Sequence, residues 1–419
     1  MSLRDQIHQL GRQALEASRS LAVLPAATKN HILTAMAEAL EARADEILAA
    51  NARDLEAGQA KGLSAAMLDR LMLNPSRVAA MAQGVREVVG LPDPVGEELA
   101  AWERPNGLKM RKVRVPIGVI GIIYESRPNV TSDAAVLCFK SGNATILRGG
   151  SEAFHSNTAI AAALQAGGES AGLPPHSIQL VPFTDRESVQ HMAEMNEYLD
   201  LIIPRGGKGL IETVVRLARM PVIKHYDGIC HVYVVATADL TMAEKILLDA
   251  KTKKPSACNA AETLLVHESV AKCFYPQIIP VLQAAGVKVF GDPFLTGLVP
   301  GAVQPATEEN YRTEYLDLVL SVKTVTSLDE AIAHIRTYGS RHSEVIVTED
   351  PANAARFLNE IDSAVLLWNA STRFNDGGEF GFGCEIGIST DKLHARGPMG
   401  LPELTSYKYQ VTGTGQVRG

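Results

Sequence analysis

Apolar and polar positions follow a helical pattern over the first ninety residues of the chain. In residues 27–58 apolar side chains recur at steps of three and four, which places them along one face of a helix. Residues 90–107 are rich in proline and glycine and break this pattern. The sequence therefore predicts a helical N-terminal segment with few strands.

Short apolar runs alternate with helical stretches in residues 113–225. The first run, residues 113–126, is long enough for a buried strand. Further strands are predicted at residues 144–147, 178–182, 199–203 and 222–225, and helices at residues 132–140, 153–166, 187–195 and 210–218. This alternation predicts βαβ units and a parallel sheet with right-handed crossovers.

A second α/β block begins near Gly228. Its predicted strands cover residues 230–235, 262–267, 287–290, 318–325 and 343–348, and a helix is predicted at 241–253. Ser327 with Glu330 forms a capping-box pattern before a further helix. Asp350 and Pro351 are a favoured N-cap and N1 pair before another. Residues 371–419 are rich in glycine and irregular.

The composition is that of an ordinary globular chain. Its 419 residues suggest two or three domains, with 46% apolar and 21% charged residues. The formal net charge is -7, so the chain as a whole lacks the positive charge that is typical of nucleic-acid-binding proteins. Residues 1–20 lack the apolar run of a signal peptide, and no long apolar stretch follows. We therefore expect a cytoplasmic protein.

The five cysteines do not form a local motif. They are widely spaced, odd in number and without a CxxC pair, at positions 138, 230, 258, 273 and 384. This spacing argues against a disulfide framework and against a zinc site, so no metal is expected.

Cys258 is the first candidate for chemistry, because it lies on a turn between a predicted helix and a predicted strand. Three lysines at 251, 253 and 254 precede it, and nearby positive charge lowers the pKa of a thiol. A thiolate on a turn can attack a carbonyl and form a thioester. The local features alone favour the alternative, a small buried apolar side chain.

Two polar turns follow predicted strands. In residues 202–210 the glycines could let backbone amides approach a phosphate, or could only form a tight turn. In residues 124–133 Asn129 could donate its amide to an oxyanion, or Asn129 or Ser132 could cap the next helix. For the second turn the helix cap is the favoured interpretation.

The glycine-rich tail is a further candidate. Residues 368–398 carry basic side chains among many glycines, namely Arg373, Lys392, His394 and Arg396. The segment could fold against an anionic group, or it could be a flexible surface loop. The residues alone leave both interpretations open.

Together these stretches resemble the aldehyde dehydrogenase superfamily, and within it the gamma-glutamyl phosphate reductase family. The resemblance covers nearly the whole chain, and its most specific segments are residues 115–153, 202–210, 224–234, 253–267, 314–325 and 368–398. These segments are long and occur in the family's order. The resemblance implies that Cys258 is the catalytic nucleophile.

Other roles are implied by the same resemblance. Asn129 would donate to the oxyanion, and Arg148 would contact the adenosine ribose, where an arginine suits a 2'-phosphate. Gly206 and Gly207 would lie by the cofactor pyrophosphate, and Glu314 would bind the nicotinamide ribose. Substrate contacts are expected from Arg127, His225 and Arg396.

The sequence departs from the oxidising members of the superfamily at His225. Those enzymes have a glutamate in a Glu-Leu-Gly-Gly stretch that activates water to hydrolyse the thioester. Here His225 stands at that place, 33 residues before Cys258. A reductase that starts from an acyl phosphate must not hydrolyse its thioester, so the loss of the carboxylate fits. His225 could act on the phosphate or be structural.

The resemblance implies an α/β fold of the aldehyde dehydrogenase type. A parallel-sheet cofactor domain would cover residues 1–107 and 116–227, and an α/β catalytic domain residues 228–369. Residues 370–404 would form a glycine-rich tail that returns to the cofactor domain. A small β extension of residues 108–115 and 405–419 would join subunits in a homodimer or homotetramer.

The expected activity is NADPH-dependent reduction of L-glutamyl 5-phosphate to L-glutamate 5-semialdehyde and phosphate in L-proline biosynthesis. A separate glutamate 5-kinase would supply the acyl phosphate. Two alternatives remain at this point: a related enzyme with another acyl donor, such as an acyl-CoA, and a catalytically silent binding protein.

Overall fold

The N-terminal segment is helical, as its apolar periodicity predicts. The computed structural model describes residues 1–418, with only the backbone at Ala66. The first helices are α1 (Leu3–Leu21), α2 (Ala26–Ala42), α3 (Ala44–Ala60), α4 (Ala65–Leu71) and α5 (Pro75–Gly90). α1 begins with a capping box between Ser2 and Asp5, and Asn74 caps α5 with Pro75 at its first turn.

A small antiparallel sheet follows these helices. β1 (Glu98–Glu103) pairs with β2 (Lys109–Pro116), and the last strand of the chain, Thr405–Thr412, pairs with the other edge of β2. β1 was not predicted. All six of its residues are exposed, so no buried face imposes an apolar period on its sequence.

The first parallel sheet contains the four strands that follow. They are β3 (Val119–Tyr124), β4 (Ala144–Gly149), β5 (Ile178–Leu180) and β6 (Leu201–Arg205), in the order β5-β4-β3-β6. The helices between and after them are α6 (Asn129–Lys140), α7 (Phe154–Ser170), α8 (Glu187–Glu194) and α9 (Lys208–Leu217). All residues of β3 are buried, which is typical of a strand covered on both faces.

The second parallel sheet has seven strands in the order β10-β9-β11-β8-β7-β12-β13. Its strands are β7 (Cys230–Val234), β8 (Ala261–His267), β9 (Lys288–Gly291), β10 (Gln304–Pro305), β11 (Val319–Val325), β12 (Ser343–Val347) and β13 (Val365–Trp368). The associated helices are α10 (Leu240–Thr252), α11 (Glu268–Ala284), α12 (Pro293–Leu298), α13 (Glu308–Tyr311), α14 (Leu328–Tyr338) and α15 (Pro351–Glu360). The predicted parallel α/β architecture is therefore confirmed.

The tail contains more regular structure than its glycine content predicts. Besides two short 3₁₀ turns it forms β14 (Gly387–Ser389), β15 (Gly397–Met399) and β16 (Thr405–Thr412). β14 pairs with β15, and β16 is the strand that completes the small antiparallel sheet.

Two local predictions need correction. The strand predicted at residues 222–225 is only a single parallel bridge between Val222 and Ile202, because the polar residues after Ile223 leave the edge of the sheet. Ser327 does cap α14, but the Glu330 carboxylate accepts from the amide of Thr326 instead of Ser327. The start of α14 was predicted correctly. The second hydrogen bond of the predicted capping box, however, comes from the amide of Thr326, one residue before Ser327.

The chain divides into two units of dense internal contacts. The first contains residues 1–224, 381–387 and 399 to the end of the described chain, and the second contains residues 225–380 and 388–398. The predicted tail, residues 370–404, is divided between the two units: residues 381–387 and 399–404 belong to the first, and residues 370–380 and 388–398 to the second. Residues 370–380 belong with the second unit, where Asn375 donates to Ser343 and its carbonyl accepts from Asn259.

A buried aromatic cluster in the second unit contains an unpaired histidine. The His334 ring packs against Tyr311, Tyr338 and His231, with ring centroids 5.1, 4.5 and 5.5 Å away. Neither ring nitrogen has a hydrogen-bond partner among the described residues. Burial, with smaller contributions from His231 and Lys323, lowers the pKa of His334 to about 2.

This histidine should make the protein less stable in mild acid. The unfolded chain takes up a proton at His334 below its usual pKa of 6.5, but the folded chain does not, so stability falls as the pH decreases from 6.5. By pH 5 the loss is about 2 kcal/mol. A His334→Phe variant keeps the ring contacts and removes this loss.

Urea unfolding followed by circular dichroism at pH 7 and pH 5 measures the effect. The decrease in the midpoint between the two pH values should be smaller for His334→Phe than for the unaltered chain. Equal decreases in both proteins would contradict the assignment.

Candidate active site

Three of the five cysteines have a thiol pKa above its usual value. Burial raises the pKa of Cys138 to about 12, of Cys384 to about 11 and of Cys230 well above its usual value, so these thiols stay protonated at neutral pH. Cys273 is exposed on α11, and Cys258 is half-buried. Only Cys258 of the five lies in a loop between a helix and a parallel strand, α10 and β8.

The Cys258 loop is held by close backbone packing against Gly228. A Cβ on Gly228 would lie 1.9 Å from the Cys258 carbonyl oxygen, so no other residue fits there without a shift of the backbone. The Cys230 thiol lies 3.3 Å from the same carbonyl oxygen. Gly228 is therefore required by this approach, and it ties the loop to the start of β7.

Glu314 is attached to the same place. Its Oε1 accepts a hydrogen bond of 2.8 Å from the amide of Gly228. Glu314 and Cys258 therefore both contact Gly228.

Two histidines accompany Cys258. One ligand atom each from His225, Cys258 and His342 lies within 4.8 Å of the other two. The His225 and His342 rings meet edge to face with centroids 5.5 Å apart, and Nδ1 of His225 lies 3.0 Å from the carbonyl oxygen of Ile388. Burial, together with nearby His225, lowers the pKa of His342 to about 3. His342 was not identified from the sequence, where no local pattern marks it.

The basic run before Cys258 does not form a cluster of unpaired charge. Lys251 is fully buried and pairs with Glu262 at 2.7 Å, and Lys253 pairs with Asp249 at 2.7 Å on the surface. Carboxylates thus balance two of the three positive charges. The expectation that these lysines lower the pKa of a nearby thiol therefore loses its support. A sequence shows how many lysines precede a thiol, but not which carboxylates they meet.

The basic residues of the tail have partners within the second unit. Arg396 donates to Asp362 at 2.6 Å, and Lys392 pairs with the other carboxylate oxygen at 2.6 Å. These bonds hold the pKa of Asp362 at about 2. Arg373 donates to the side chain of Asn259, next to Cys258 in sequence.

Asn129 stands at the first position of α6 in the first unit. It does not cap the helix, because no side-chain cap bond is present there; instead its amide donates to Asp133 at 2.8 Å. The favoured interpretation of this turn as a cap was therefore wrong. Burial raises the pKa of Asp133 to about 6, partly offset by the bond from Asn129. Arg127 lies exposed in the loop before α6.

Gly206 and Gly207 form the exposed turn between β6 and α9. The amide of Gly207 donates to Glu125 at 3.1 Å, so the start of α9 already binds an oxyanion. A Cβ on Gly206 would lie 2.5 Å from the same Glu125 oxygen and 2.8 Å from Leu210. A side chain at position 206 would therefore collide with the Glu125 carboxylate and with Leu210.

Arg148 ends β4 but points into the protein. Its guanidinium donates to the carbonyl oxygens of Thr184 at 3.0 Å and Gly149 at 3.1 Å, and to the Ser188 hydroxyl at 3.3 Å. Burial lowers the pKa of this side chain. Arg148 thus holds the loop before α8 and is only slightly exposed.

Comparison with known proteins identifies the family. Residues 2–317 match the model of the aldehyde dehydrogenase family. A gamma-glutamyl phosphate reductase of Geotalea daltonii is 56% identical over 418 residues, which is 100% of both chains. A second, from Moorella thermoacetica, is 54% identical over the same length.

Solved structures agree with this result. The crystal structure of a gamma-glutamyl phosphate reductase from Thermotoga maritima superposes with a TM-score of 0.97 at 47% identity, covering 99% of this chain and 100% of that one. In addition, no helix within residues 1–418 is both long and apolar enough to cross a membrane.

Proposed function

This chain belongs to the aldehyde dehydrogenase family, and we propose that it reduces L-glutamyl 5-phosphate to L-glutamate 5-semialdehyde and phosphate with NADPH, as a step of L-proline biosynthesis. The coarser conclusion, an oxidoreductase of this family, follows from the match itself. The observation that carries the finer proposal is the identity of 56% over the full length with a relative that is named for this activity.

Cys258 is the proposed nucleophile. Its thiolate attacks the acyl carbon, the bond to the phosphate oxygen breaks, and phosphate leaves with that electron pair, so that a thioester forms. The bound nicotinamide cofactor supplies a hydride for the reduction. When the resulting thiohemiacetal collapses, the carbon–sulfur bond breaks and the Cys258 thiolate is regenerated. Support comes from its loop position and from the burial of Cys138 and Cys230.

Asn129 is proposed to donate its side-chain amide to the oxyanion, on the pattern of the family. The side-chain amide of Asn129 does not cap α6 and donates to Asp133 instead.

Position 225 lacks the carboxylate with which the oxidising members of the superfamily activate water, and this loss fits a thioester that is reduced. Nδ1 of His225 lies 3.0 Å from the Ile388 carbonyl oxygen. We propose that His225, Arg127 and Arg396 contact the substrate. Arg396 already forms an ion pair with Asp362, so its contribution to substrate binding would be the smallest of the three.

The turn at Gly206 and Gly207 is the proposed pyrophosphate site. It fits a phosphate group, because the Gly207 amide at the start of α9 already binds the Glu125 carboxylate, which the phosphate would replace. Glu314 is proposed to bind the nicotinamide ribose and Arg148 to face the adenosine ribose. The Arg148 guanidinium already donates to four protein groups, in Gly149, Thr184, Asp185 and Ser188.

We also propose a homodimer or homotetramer in the cytoplasm. The small antiparallel sheet exposes large apolar side chains that contact between subunits would cover, namely Trp102, Tyr407, Tyr409 and Val411. A separate glutamate 5-kinase would supply the acyl phosphate, which is too labile to accumulate.

Replacement of Cys258 tests the proposed activity. Glutamate semialdehyde, phosphate and NADP⁺ serve as substrates of the reverse reaction, and NADPH is followed by absorbance. Cys258→Ala should reduce turnover at least about 10³-fold, because the covalent step is lost. Cys273→Ala, at the exposed cysteine of α11, should retain the rate of the unaltered enzyme. Turnover by Cys258→Ala near that rate would refute the thioester route.

The same assay separates the proposed substrate from an acyl-CoA. Replacing phosphate by coenzyme A should abolish NADPH formation if the acyl phosphate is the natural donor. Faster NADPH formation with coenzyme A would favour the alternative.

The proposed pyrophosphate site can be tested with a matched pair of glycine variants. In Gly206→Ala the new methyl group fills the place of the phosphate, so the Kd for NADPH should rise at least about 10-fold. Gly209→Ala, three residues later, meets nothing within 4 Å and should bind NADPH normally. Fluorescence titration measures both, and equal affinities would place the pyrophosphate elsewhere.

A further inference from the structure

Three side chains that can bind a metal converge beside β7 in the second unit. His225 precedes β7, Cys258 lies in the loop between α10 and β8, and His342 immediately precedes β12. One nitrogen or sulfur atom of each lies within 4.8 Å of the others. The sequence has no paired Cys/His motif, and only the order of strands in the sheet assembles these three residues.

The set of donors suits zinc. Zinc binds imidazole nitrogen and thiolate sulfur with bonds of about 2.0–2.3 Å in tetrahedral geometry, which places ligand atoms about 3.3–3.6 Å apart. The ligand atoms here, all within 4.8 Å of one another, need to move by only ~1 Å. Cys258 and His225 are both half-buried. Three protein ligands leave a fourth position for water.

His342 supplies an independent indication of a ligand. It is 0% exposed, and its Nε2 has no hydrogen-bond partner among the described residues. Its Nδ1 lies 2.8 Å from the Ser343 hydroxyl and 3.6 Å from the Cys230 thiol. These contacts favour a proton on Nδ1, which leaves the lone pair on Nε2. Nε2 of His342 is thus a buried acceptor that no described residue satisfies.

His225 has the second feature of a metal ligand. Histidines that bind metals usually donate their other ring N–H to a carbonyl or carboxylate, which fixes the ring and the tautomer. Nδ1 of His225 lies 3.0 Å from the Ile388 carbonyl oxygen, so Nε2 carries the lone pair.

We propose that His225, Cys258 and His342 form a reversible inhibitory site for Zn²⁺. The thiol loses its proton to solvent as the zinc–sulfur bond forms, and the bound thiolate can no longer attack the acyl carbon. The inhibitory effect rests on the proposed function of Cys258, whereas the binding of the metal does not. Restoration of activity by a chelator distinguishes this site from oxidation of the thiol.

Cobalt(II) is the probe for binding, because its bond to a thiolate gives a near-ultraviolet charge-transfer absorption that zinc lacks. The full-length chain, first treated with chelator, should bind one Co²⁺ with this absorption, and one equivalent of Zn²⁺ should remove it. Cys258→Ser should abolish the band, and Cys273→Ser at an exposed cysteine should leave it unchanged.

The histidines are tested separately. His225→Asn and His342→Asn should each weaken Co²⁺ binding at least about 10-fold, the lower limit for a lost ligand. His225 is half-buried, so its variant remains informative if the His342 variant does not fold. A band that is absent from the unaltered chain, or that neither histidine variant weakens, would overturn the proposed site.

Enzyme assays then test inhibition. Zn²⁺ at the concentration that displaces Co²⁺ should stop NADPH formation, and a chelator should restore it. Metal binding without activity in any assay would reject the proposed function but leave the metal site standing. Activity that persists with zinc bound would overturn the inhibitory role.

Discussion

The close approach of Gly228 to the Cys258 carbonyl is the constraint on which the candidate site depends. No Cβ fits between the two backbone segments, and the Glu314 carboxylate accepts a hydrogen bond from the amide of Gly228. The pairing of β7 with β8 shifts register next to this point, between Cys230 and His231. His225 lies three residues before Gly228, so this contact also lies close to His225.

Buried charge beneath this loop is structural. Lys251 and Glu262 form an ion pair with no exposed side-chain surface, and burial raises the pKa of Glu262 to about 7. Glu262 also accepts from the amide of Leu316, two residues after Glu314. The pair thus links the end of α10, β8 and the segment that carries Glu314, and removal of one partner would leave an unpaired buried charge.

The sequence predicts most of the fold because buried elements impose a period. The helical character of the N-terminal segment was predicted for this reason, whereas the fully buried strands β3, β7 and β12 were predicted from continuous apolar or strand-like runs. β1 was missed because it has no buried face, and the strand predicted at residues 222–225 failed because apolar residues alone do not ensure a sheet partner.

The candidate site is less predictable. Its turn position and the lysines before it made Cys258 a candidate, but only the resemblance to a family favoured it as the nucleophile. Two of those three lysines are paired with carboxylates. His342 carries no local signal, because its proximity to Cys258 arises from the order of strands β8-β7-β12. Asn129 looked like a helix cap from its position, and only the contacts of its side chain show otherwise.

The central claim is that Cys258 carries the acyl group during the reaction. Mass spectrometry of the enzyme, quenched with acid after mixing with freshly made L-glutamyl 5-phosphate in the absence of cofactor, tests it most directly. We expect one glutamyl adduct per chain, located on the peptide that contains Cys258 and removed when NADPH is added before the quench. An adduct on another residue, or none while the same preparation turns over with NADPH, would contradict it.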